Sequence, residues 1–285
     1  MRRGYALLAL IMLTACSTKD APPASPAATA AQGKGDHTLT VTVGDKERTF
    51  QLHVPPGYDP ARTMPAVVAL HHKPGSGATM RELTGFDAKA DAEGFLVAYP
   101  EGVGGQFNAF GCCGVQDDVG FVKAVAALLV ERWHADPGRV FLAGVSNGAD
   151  LSYRAAVEAP GVFAAIGAVS GGFAGGRTEA ADYRPAAPVS VVTLIGAADP
   201  QAATFTTGVD TWRQRLGCEA PKETSPAPGV HGTTTRCGDG SDVQAYVIDS
   251  GAHAWFGATV GELKAPGQIG ATDTLWRFFV AHPRR

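Results

Sequence analysis

A serine that could act as a nucleophile stands at position 146, in the segment 144–148 that reads GVSNG. An apolar run at 139–143 precedes this segment, and a helix-compatible run at 149–158 follows it. The pattern G-x-S-x-G between a strand and a helix is typical of a tight turn that exposes the serine hydroxyl. Glycines two residues to either side remove the Cβ atoms that would collide there. An ordinary serine in a glycine-rich turn is the alternative, because so short a pattern also arises by chance.

A base and an orienting acid are needed to turn this serine into a nucleophile. In hydrolases with such a turn, the chain order is serine, then Asp or Glu, then His. Asp199 follows the apolar run 191–195, and His253 follows the run 243–248. Both would lie on loops at the carboxyl ends of strands, on the same sheet edge as Ser146. We therefore predict Ser146 as nucleophile, His253 as base and Asp199 as the acid.

Other histidines and acids could fill these two roles. A histidine at a helix end is usually explained by the helix dipole, one in a polar loop by solvation, and one in the terminal helix by surface position. The alternatives to His253 and Asp199 are His134, His231 and His282 for the base, and Asp242 and Asp249 for the acid.

Donors for the oxyanion that forms on the substrate carbonyl are the next requirement. The N–H of Asn147, directly after the serine, is the first candidate. The second donor is expected on the loop after the apolar run 66–71, which reads HHKPGSG at 71–77. We predict the N–H of Lys73 for this role, with that of His72 as the alternative.

Five cysteines occur in the chain. Cys218 and Cys237 flank a polar stretch that a disulfide would close as a loop, and this pair is the predicted bridge. Cys112 and Cys113 form either a vicinal bridge or two buried thiols. The sequence contains no C-x-x-C pair, and its histidines are not at zinc-ligand spacing from the cysteines, so neither a metal nor another cofactor is expected.

The N-terminus predicts export. Two arginines precede an apolar run at 6–13 that is too short for a permanent membrane span, and LTAC at 13–16 is similar to a bacterial lipobox. We expect a signal peptide at 1–15, lipidation of Cys16, and an Ala/Pro-rich disordered tether at 16–36. An ordinary secretory signal is the alternative. A single domain would then cover 37–285.

Apolar runs alternate with helix-compatible runs along this domain. The alternation predicts an α/β fold with a mostly parallel central sheet covered by helices on both faces. Reactive groups in such sheets lie at the carboxyl ends of strands. The predicted strands are at 38–43, 49–54, 66–71, 95–99, 139–144, 163–169, 189–195 and 243–248, and the predicted helices at 80–93, 117–134, 147–158, 206–216 and 272–282.

Short segments spread along the domain resemble one known group of esterases. They include Leu70-His71, YPEG at 99–102, GVSNG at 144–148, GAAD at 196–199 and GAHAW at 251–255. Together they resemble the secreted polyhydroxybutyrate depolymerases, feruloyl esterases and acetylxylan esterases of carbohydrate esterase family one. The resemblance implies an α/β-hydrolase fold and the triad already predicted. Further matching segments are Asn108 with Cys112-Cys113-Gly114, DDVGF at 117–121, Asp136-Pro137 with Arg139-Val140, and FAAI at 163–166.

The chain departs from the family pattern at four places. His72 stands where a glycine is usual, Phe107 where tryptophan is frequent, and Phe256 where proline is common. PQAA at 200–203 replaces an apolar stretch. The first departure affects the predicted oxyanion loop, and the others are expected to reshape the pocket.

These features lead us to expect a lipid-anchored serine esterase that hydrolyses hydroxycinnamoyl or short acyl esters, including esters on polysaccharide, through an acyl-enzyme. A polyhydroxybutyrate or polyhydroxyalkanoate depolymerase is the main alternative. An envelope acyltransferase and a non-catalytic envelope binding lipoprotein are further alternatives. The net charge of −3 gives no basic footprint for nucleic acid. The expected partners are the ester substrate and the membrane through the lipid anchor only, and the protein is expected to be a monomer.

Overall fold

The computed structural model describes Met1, residues 33–110 and residues 112–284. Gly33–Arg285 form one compact unit. The predicted signal peptide beyond Met1, the lipidation site Cys16 and the tether as far as residue 32 lie outside the described residues. None of the described helices is both long enough and apolar enough to cross a bilayer.

Strands and helices alternate through this unit. The strands are β1 (Gly35–Val43), β2 (Lys46–Val54), β3 (Met64–Leu70), β4 (Leu96–Pro100), β5 (Ala135–Val145), β6 (Ala165–Val169), β7 (Ser190–Gly196), β8 (Lys222–Ala227), β9 (Val230–Arg236), β10 (Asp242–Ile248), β11 (Trp255–Phe256) and β12 (Lys264–Ala265). The α-helices are α1 (Gly77–Thr84), α2 (Phe86–Glu93), α3 (Asp118–Trp133), α4 (Asn147–Glu158), α5 (Ala202–Arg215) and α6 (Ala271–Ala281), and a 3-10 helix covers Gly176–Glu179.

Ten of these strands form one sheet in the order β1-β2-β4-β3-β5-β6-β7-β10-β9-β8. The six central strands from β4 to β10 run parallel. An antiparallel hairpin extends the sheet at each end, β1 with β2 and β8 with β9. The predicted mostly parallel α/β sheet is therefore confirmed.

The core fills both faces of the sheet because side chains alternate along each strand. In β3, Val68 and Leu70 pack into the cluster that includes α3, α4 and α5. Ala69, between them, packs into the cluster that includes α1, α2 and α6. Every residue of β3 is buried, as expected of a central parallel strand.

One predicted helix is two helices. The sequence predicts a helix at 80–93, but α1 ends and α2 begins at Gly85, whose φ is 60°. Glycine adopts this left-handed conformation without the steric penalty that a Cβ brings, so the chain turns there. No proline or long polar run marks the break at Gly85, and a single glycine within a helical pattern does not by itself predict a helix boundary.

The polar stretch between Cys218 and Cys237 is a hairpin rather than the loop that its composition indicates. β9 pairs with β10 along its whole length, and β8 pairs with β9. β8 is one of the two outer strands of the sheet, and it is exposed for most of its length, so its polar residues need no core. The predicted Cys218–Cys237 bridge closes the base of this hairpin and is confirmed.

Candidate active site

Ser146 lies on the turn between β5 and α4. Its φ of 54° and ψ of −123° place a non-glycine residue in a strained conformation, which costs on the order of 1–3 kcal/mol. A Cβ on Gly144 would lie 2.2 Å from the carbonyl oxygen of Gly148, and a Cβ on Gly148 would lie 2.3 Å from that of Leu70. The two flanking glycines are therefore required by backbone packing, which is the setting that the G-x-S-x-G pattern predicts.

Asp199 and His253 are joined by a hydrogen bond. The His253 Nδ1 lies 2.7 Å from Asp199 Oδ2, and Asp199 Oδ1 accepts a hydrogen bond from the N–H of Gln201 at 2.9 Å. The Asp199 side chain is 1% exposed and the imidazole 27%. Asp199 thus fixes the ring orientation and leaves Nε2 as the nitrogen available to a reacting group.

Backbone hydrogen bonds join the loops that carry this pair. The N–H of Ala198 donates to the carbonyl of Gly251 at 2.8 Å, and the N–H of Ala197 donates to that of Ile248 at 2.8 Å. A Cβ on Gly196 would lie 2.2 Å from the Gly251 oxygen, so only glycine permits this approach. The loops after β7 and β10 therefore form one support for Asp199 and His253.

Ser170 connects that support to the serine turn, and the sequence reasoning missed it. The N–H of Ser146 donates to Val169 O at 2.9 Å. The hydroxyl of Ser170, the next residue, donates to the carbonyl of Ala254 and accepts from its N–H, both at 3.0 Å. Ser170 is fully buried and has φ 49°. The triad prediction looked for a nucleophile, a base and an acid, and no local sequence pattern marks a serine that acts through hydrogen bonds to distant backbone.

Asn147 supplies a backbone N–H at the start of α4, where no helical carbonyl can accept it. Its side chain is occupied elsewhere. Asn147 Oδ1 accepts from the N–H of Phe107 at 2.8 Å, and its Nδ2 donates to the Phe107 carbonyl at 3.0 Å. Only the backbone of Asn147 is thus available to an oxyanion, and its amide fixes the neighbouring loop.

This neighbouring loop, which we call the Phe107 loop (residues 107–110 and 112–113), borders the serine turn. Its Cys112 and Cys113 form a disulfide, which decides between the two states that the sequence left open. Both sulfurs lie 4.0 Å from Asn147 Nδ2. Lys73 Nζ lies 3.4 Å from the Cys113 sulfur. The loop that is predicted to supply the second oxyanion donor therefore contacts the Phe107 loop.

A buried ion pair anchors the start of the Phe107 loop. Asp118 accepts a hydrogen bond from Arg48 at 2.6 Å and another from the N–H of Asn108 at 2.7 Å. Arg48 and Asp118 are both almost fully buried, and the Arg48 guanidinium stacks over Phe121. Because each charge is compensated, the pair can hold the loop without leaving an unpaired charge inside.

His71 and His72 differ in their hydrogen bonding. His71 Nε2 accepts from the N–H of Gly102 at 3.0 Å, so Nδ1 carries the proton and donates to the His72 carbonyl at 2.7 Å. Burial lowers the pKa of His71, which agrees with this neutral ring. Burial also lowers the pKa of His72, and the charge of His253 acts in the same direction. Both rings are therefore neutral groups beside the serine turn.

The alternative base and acid residues occupy other positions and have other partners in the structure. His134 forms the left-handed end of α3. His231 pairs with Asp249 at 3.0 Å, and His282 pairs with Asp242 at 3.1 Å. Among the described residues, the one group with metal-ligand geometry is Asp36, His53 and Asp87. Arg81 pairs with both of these carboxylates, and the His53 ring hydrogen-bonds Asp36 at 2.8 Å, so these side chains already have partners within the protein.

The mostly parallel sheet, the serine on a strained strand-to-helix turn and an Asp–His pair on following loops define the α/β-hydrolase class. Residues 48–203 match the family model described as Esterase PHB depolymerase. Over 95% of this chain and 94% of its relative, the sequence is 30% identical to NocK of Nocardia uniformis subsp. tsuyamanensis, which is named as an esterase by inference. The chain belongs to the PHB depolymerase family of esterases, and it is a carboxylic ester hydrolase.

Two further comparisons agree with this assignment. The chain is 27% identical to feruloyl esterase C of Emericella nidulans, over 82% of this chain and 84% of the relative. The solved structure of an acetyl xylan esterase from Aspergillus awamori superposes with a TM-score of 0.64 at 19% identity, covering 86% of this chain and 99% of that one. The second likeness bears on the fold, and it confirms the predicted α/β-hydrolase class.

Proposed function

We propose that the protein hydrolyses esters by a Ser-His-Asp mechanism in which Ser146 is the nucleophile. The observation that carries this proposal is the 2.7 Å contact between His253 and Asp199, on loops tied through Ser170 to the strained turn of Ser146. A strained non-glycine conformation is retained only where the surrounding structure enforces it, and it is frequent at functional sites.

The chemistry follows from the roles of these groups. Ser146 Oγ attacks the ester carbonyl carbon as His253 Nε2 takes its proton, and Asp199 stabilises the resulting imidazolium. The N–H of Asn147 and a second N–H, assigned to Lys73, hydrogen-bond the oxyanion. The imidazolium then protonates the departing alcohol. Water repeats the sequence on the acyl-enzyme and releases the acid.

The proposed substrates are hydroxycinnamoyl or short acyl esters, including esters on polysaccharide. The relatives named as feruloyl and acetylxylan esterases support this class. An aromatic side chain near the proposed base also supports it, because the Phe205 ring lies 6.5 Å from the His253 ring. Aromatic surfaces suit a planar acyl group. Depolymerase activity remains the second candidate, favoured by the description of the matching family.

Export is part of the proposal. The two disulfides are the kind of bond that persists in an oxidising compartment. We infer that a signal peptide is removed and that lipid on Cys16 anchors the protein to the cell envelope. Intact-mass spectrometry of the protein from a bacterial membrane fraction tests this inference. A diacylglycerol adduct on Cys16 is expected, and a soluble product with an unmodified N-terminus would contradict it.

The catalytic proposal is tested with p-nitrophenyl acetate and methyl ferulate as substrates. Ser146→Ala should lower kcat/KM by roughly 10⁴-fold or more while leaving the thermal unfolding curve intact. Ser225→Ala, on the exposed outer strand β8, is the matched control and should behave as wild type. Equal activity of the Ser146→Ala protein would exclude Ser146 as nucleophile. Release of 3-hydroxybutyrate from polyhydroxybutyrate, at a higher rate than hydrolysis of either small ester, would favour the depolymerase.

A further inference from the structure

Asp150 is a carboxyl group beside the serine turn that the proposed reaction does not use. It lies one turn into α4, and its N–H donates to the Ser146 carbonyl at 3.0 Å. Its Oδ1 accepts a hydrogen bond from the N–H of Gly172 at 2.8 Å. Burial raises the pKa of Asp150 to about 7, against the opposite effect of the Gly172 hydrogen bond. Within the described residues, no basic side chain forms an ion pair with it.

The carboxyl belongs to the immediate surroundings of the reacting groups. A Cβ on Gly171 would lie 2.6 Å from the Ser146 carbonyl oxygen and 3.0 Å from Asp150 Oδ1. The next residue, Gly172, would place a Cβ 3.3 Å from the ring of Phe205. Phe205 in turn lies beside His253. The Gly171–Gly172 segment thus has Ser146 and Asp150 on one side, and Phe205 with the base on the other.

One of the two carboxyl oxygens of Asp150 has no hydrogen-bond partner among the described residues. The next charged groups along the same helix face all have hydrogen-bond partners. Arg154 donates to Glu158 and to the Asn108 carbonyl, and Glu158 also accepts from Tyr183. Asp150 uses Oδ1 for Gly172 and its second oxygen for no described donor. Holding Gly172 requires one oxygen, which an asparagine would supply equally well. Asp150 is partly buried, and an ionisable group that loses part of its hydration is costly unless a partner satisfies it.

We propose that Asp150 is a specificity-determining residue whose second carboxyl oxygen binds a hydroxyl group of the ester substrate. This inference rests on the proposed function. The apolar neighbour of the segment that Asp150 holds is Phe205, whose side chain would lie 3.3 Å from a Cβ on Gly172. A hydroxyl suits the carboxyl in both protonation states, because the anion accepts from it and the neutral acid can also donate to it.

Matched ester pairs test the inference, since they differ only by one hydroxyl. p-Nitrophenyl 3-hydroxybutyrate against p-nitrophenyl butyrate places the hydroxyl on the acyl side. 2-Hydroxyethyl butyrate against ethyl butyrate places it on the alcohol side. For wild type, kcat/KM should be at least about 10-fold higher for the hydroxylated member of one pair, as expected for a hydrogen bond to a partly buried carboxyl. The pair that responds identifies the side.

Asp150→Asn separates this role from loop support, because the amide retains an oxygen for the N–H of Gly172 and loses the second acceptor. The preference for the hydroxylated ester should fall about 10- to 100-fold. Asp150→Ser is the second variant, should the amide fail to fold. Asp45→Asn, in the exposed turn between β1 and β2, is the control and should keep the wild-type preference.

The outcomes distinguish this inference from the proposed function. Equal kcat/KM within both pairs for wild type would overturn the role of Asp150 and leave the esterase mechanism standing. A wild-type preference that both Asp150 variants retain would also overturn it. Inactivity of the wild type toward all four esters and toward p-nitrophenyl acetate would instead contradict the proposed function.

Discussion

Removing the Ser170 hydroxyl should weaken both the fold and the reaction. Ser170→Ala deletes a group that donates to the Ala254 carbonyl and accepts from its N–H, both at 3.0 Å. Two hydrogen bonds at about 1 kcal/mol each, with up to about 1 kcal/mol for the buried N–H left unpaired, give a loss of about 2–3 kcal/mol. At about 2–4 °C per kcal/mol for a domain of this size, the Tm should fall by roughly 4–12 °C.

Ser170→Gly provides the matched comparison. It removes the same hydroxyl, but glycine adopts the positive φ of 49° without strain. The glycine variant should therefore be about 1 kcal/mol more stable than the alanine variant. Both variants release the backbone beside His253, so both should lose on the order of 10-fold in kcat at 20 °C, well below their Tm.

Circular dichroism melting and p-nitrophenyl acetate hydrolysis, measured on the same preparations, check the two halves of this prediction. Wild-type kcat in both fully folded variants would refute the view that Ser170 positions His253. An alanine variant as stable as the glycine variant would refute the assignment of strain to this residue. Ser225→Ala again serves as the control, since it removes an exposed hydroxyl from the outer strand β8.

Three further predictions concern the acid, the hairpin and pH. Asp199→Asn should lower kcat about 10⁴-fold in the p-nitrophenyl acetate assay without unfolding the protein, because an amide cannot stabilise the imidazolium of His253. Replacing Cys218 and Cys237 together by serine opens a loop of sequence separation 19 and should lower the free energy of unfolding in urea by about 3 kcal/mol. The pKa of Asp150 is raised from 3.8 to about 7 in the folded state, so the folded protein holds a proton that the unfolded chain has released. Wild-type stability should therefore fall as pH rises from about 4 to about 7, and Asp150→Asn should lack this component of the slope.

Each of these three predictions would be contradicted by a specific result. Undiminished turnover in Asp199→Asn would assign the orienting acid elsewhere. An unchanged urea midpoint in the double cysteine variant would show that the β9–β10 ladder alone holds the hairpin. Identical pH dependence of unfolding in wild type and Asp150→Asn would show that water reaches the carboxyl freely in the folded protein.

The order of strands and helices was accessible from sequence because the central strands are buried on both faces. β3 and the second half of β5 are apolar runs, and β7 is apolar except for Ser190 and Thr193; such runs separated by helical patterns leave few alternatives. The β8–β9 hairpin was missed because an outer strand needs no apolar residues. Pattern reasoning detects burial, and β8 has almost none.

The prediction of the site residues depends on a different kind of signal. Gly144 and Gly148 are required by backbone contacts, so the sequence around Ser146 is constrained by geometry and can be recognised. Ser170 and the amide of Asn147 act through hydrogen bonds to distant backbone, Ala254 and Phe107 respectively. Contacts over such sequence distances depend on the tertiary fold, and no local pattern encodes them.

The β8–β9 hairpin also determines which groups are exposed at one edge of the sheet. A strand at a sheet edge exposes N–H and C=O groups that another chain could pair with. β8 carries Pro226, which has no N–H to offer, and Lys222 and Glu223, whose charges an added strand would have to bury. Its pairing with β9 is irregular between Thr224 and Ala227, so the edge is not a straight template. The disulfide at the base of the hairpin keeps β8 in place. β8 therefore protects the central parallel strands, at this end of the sheet, from pairing with a strand of another molecule.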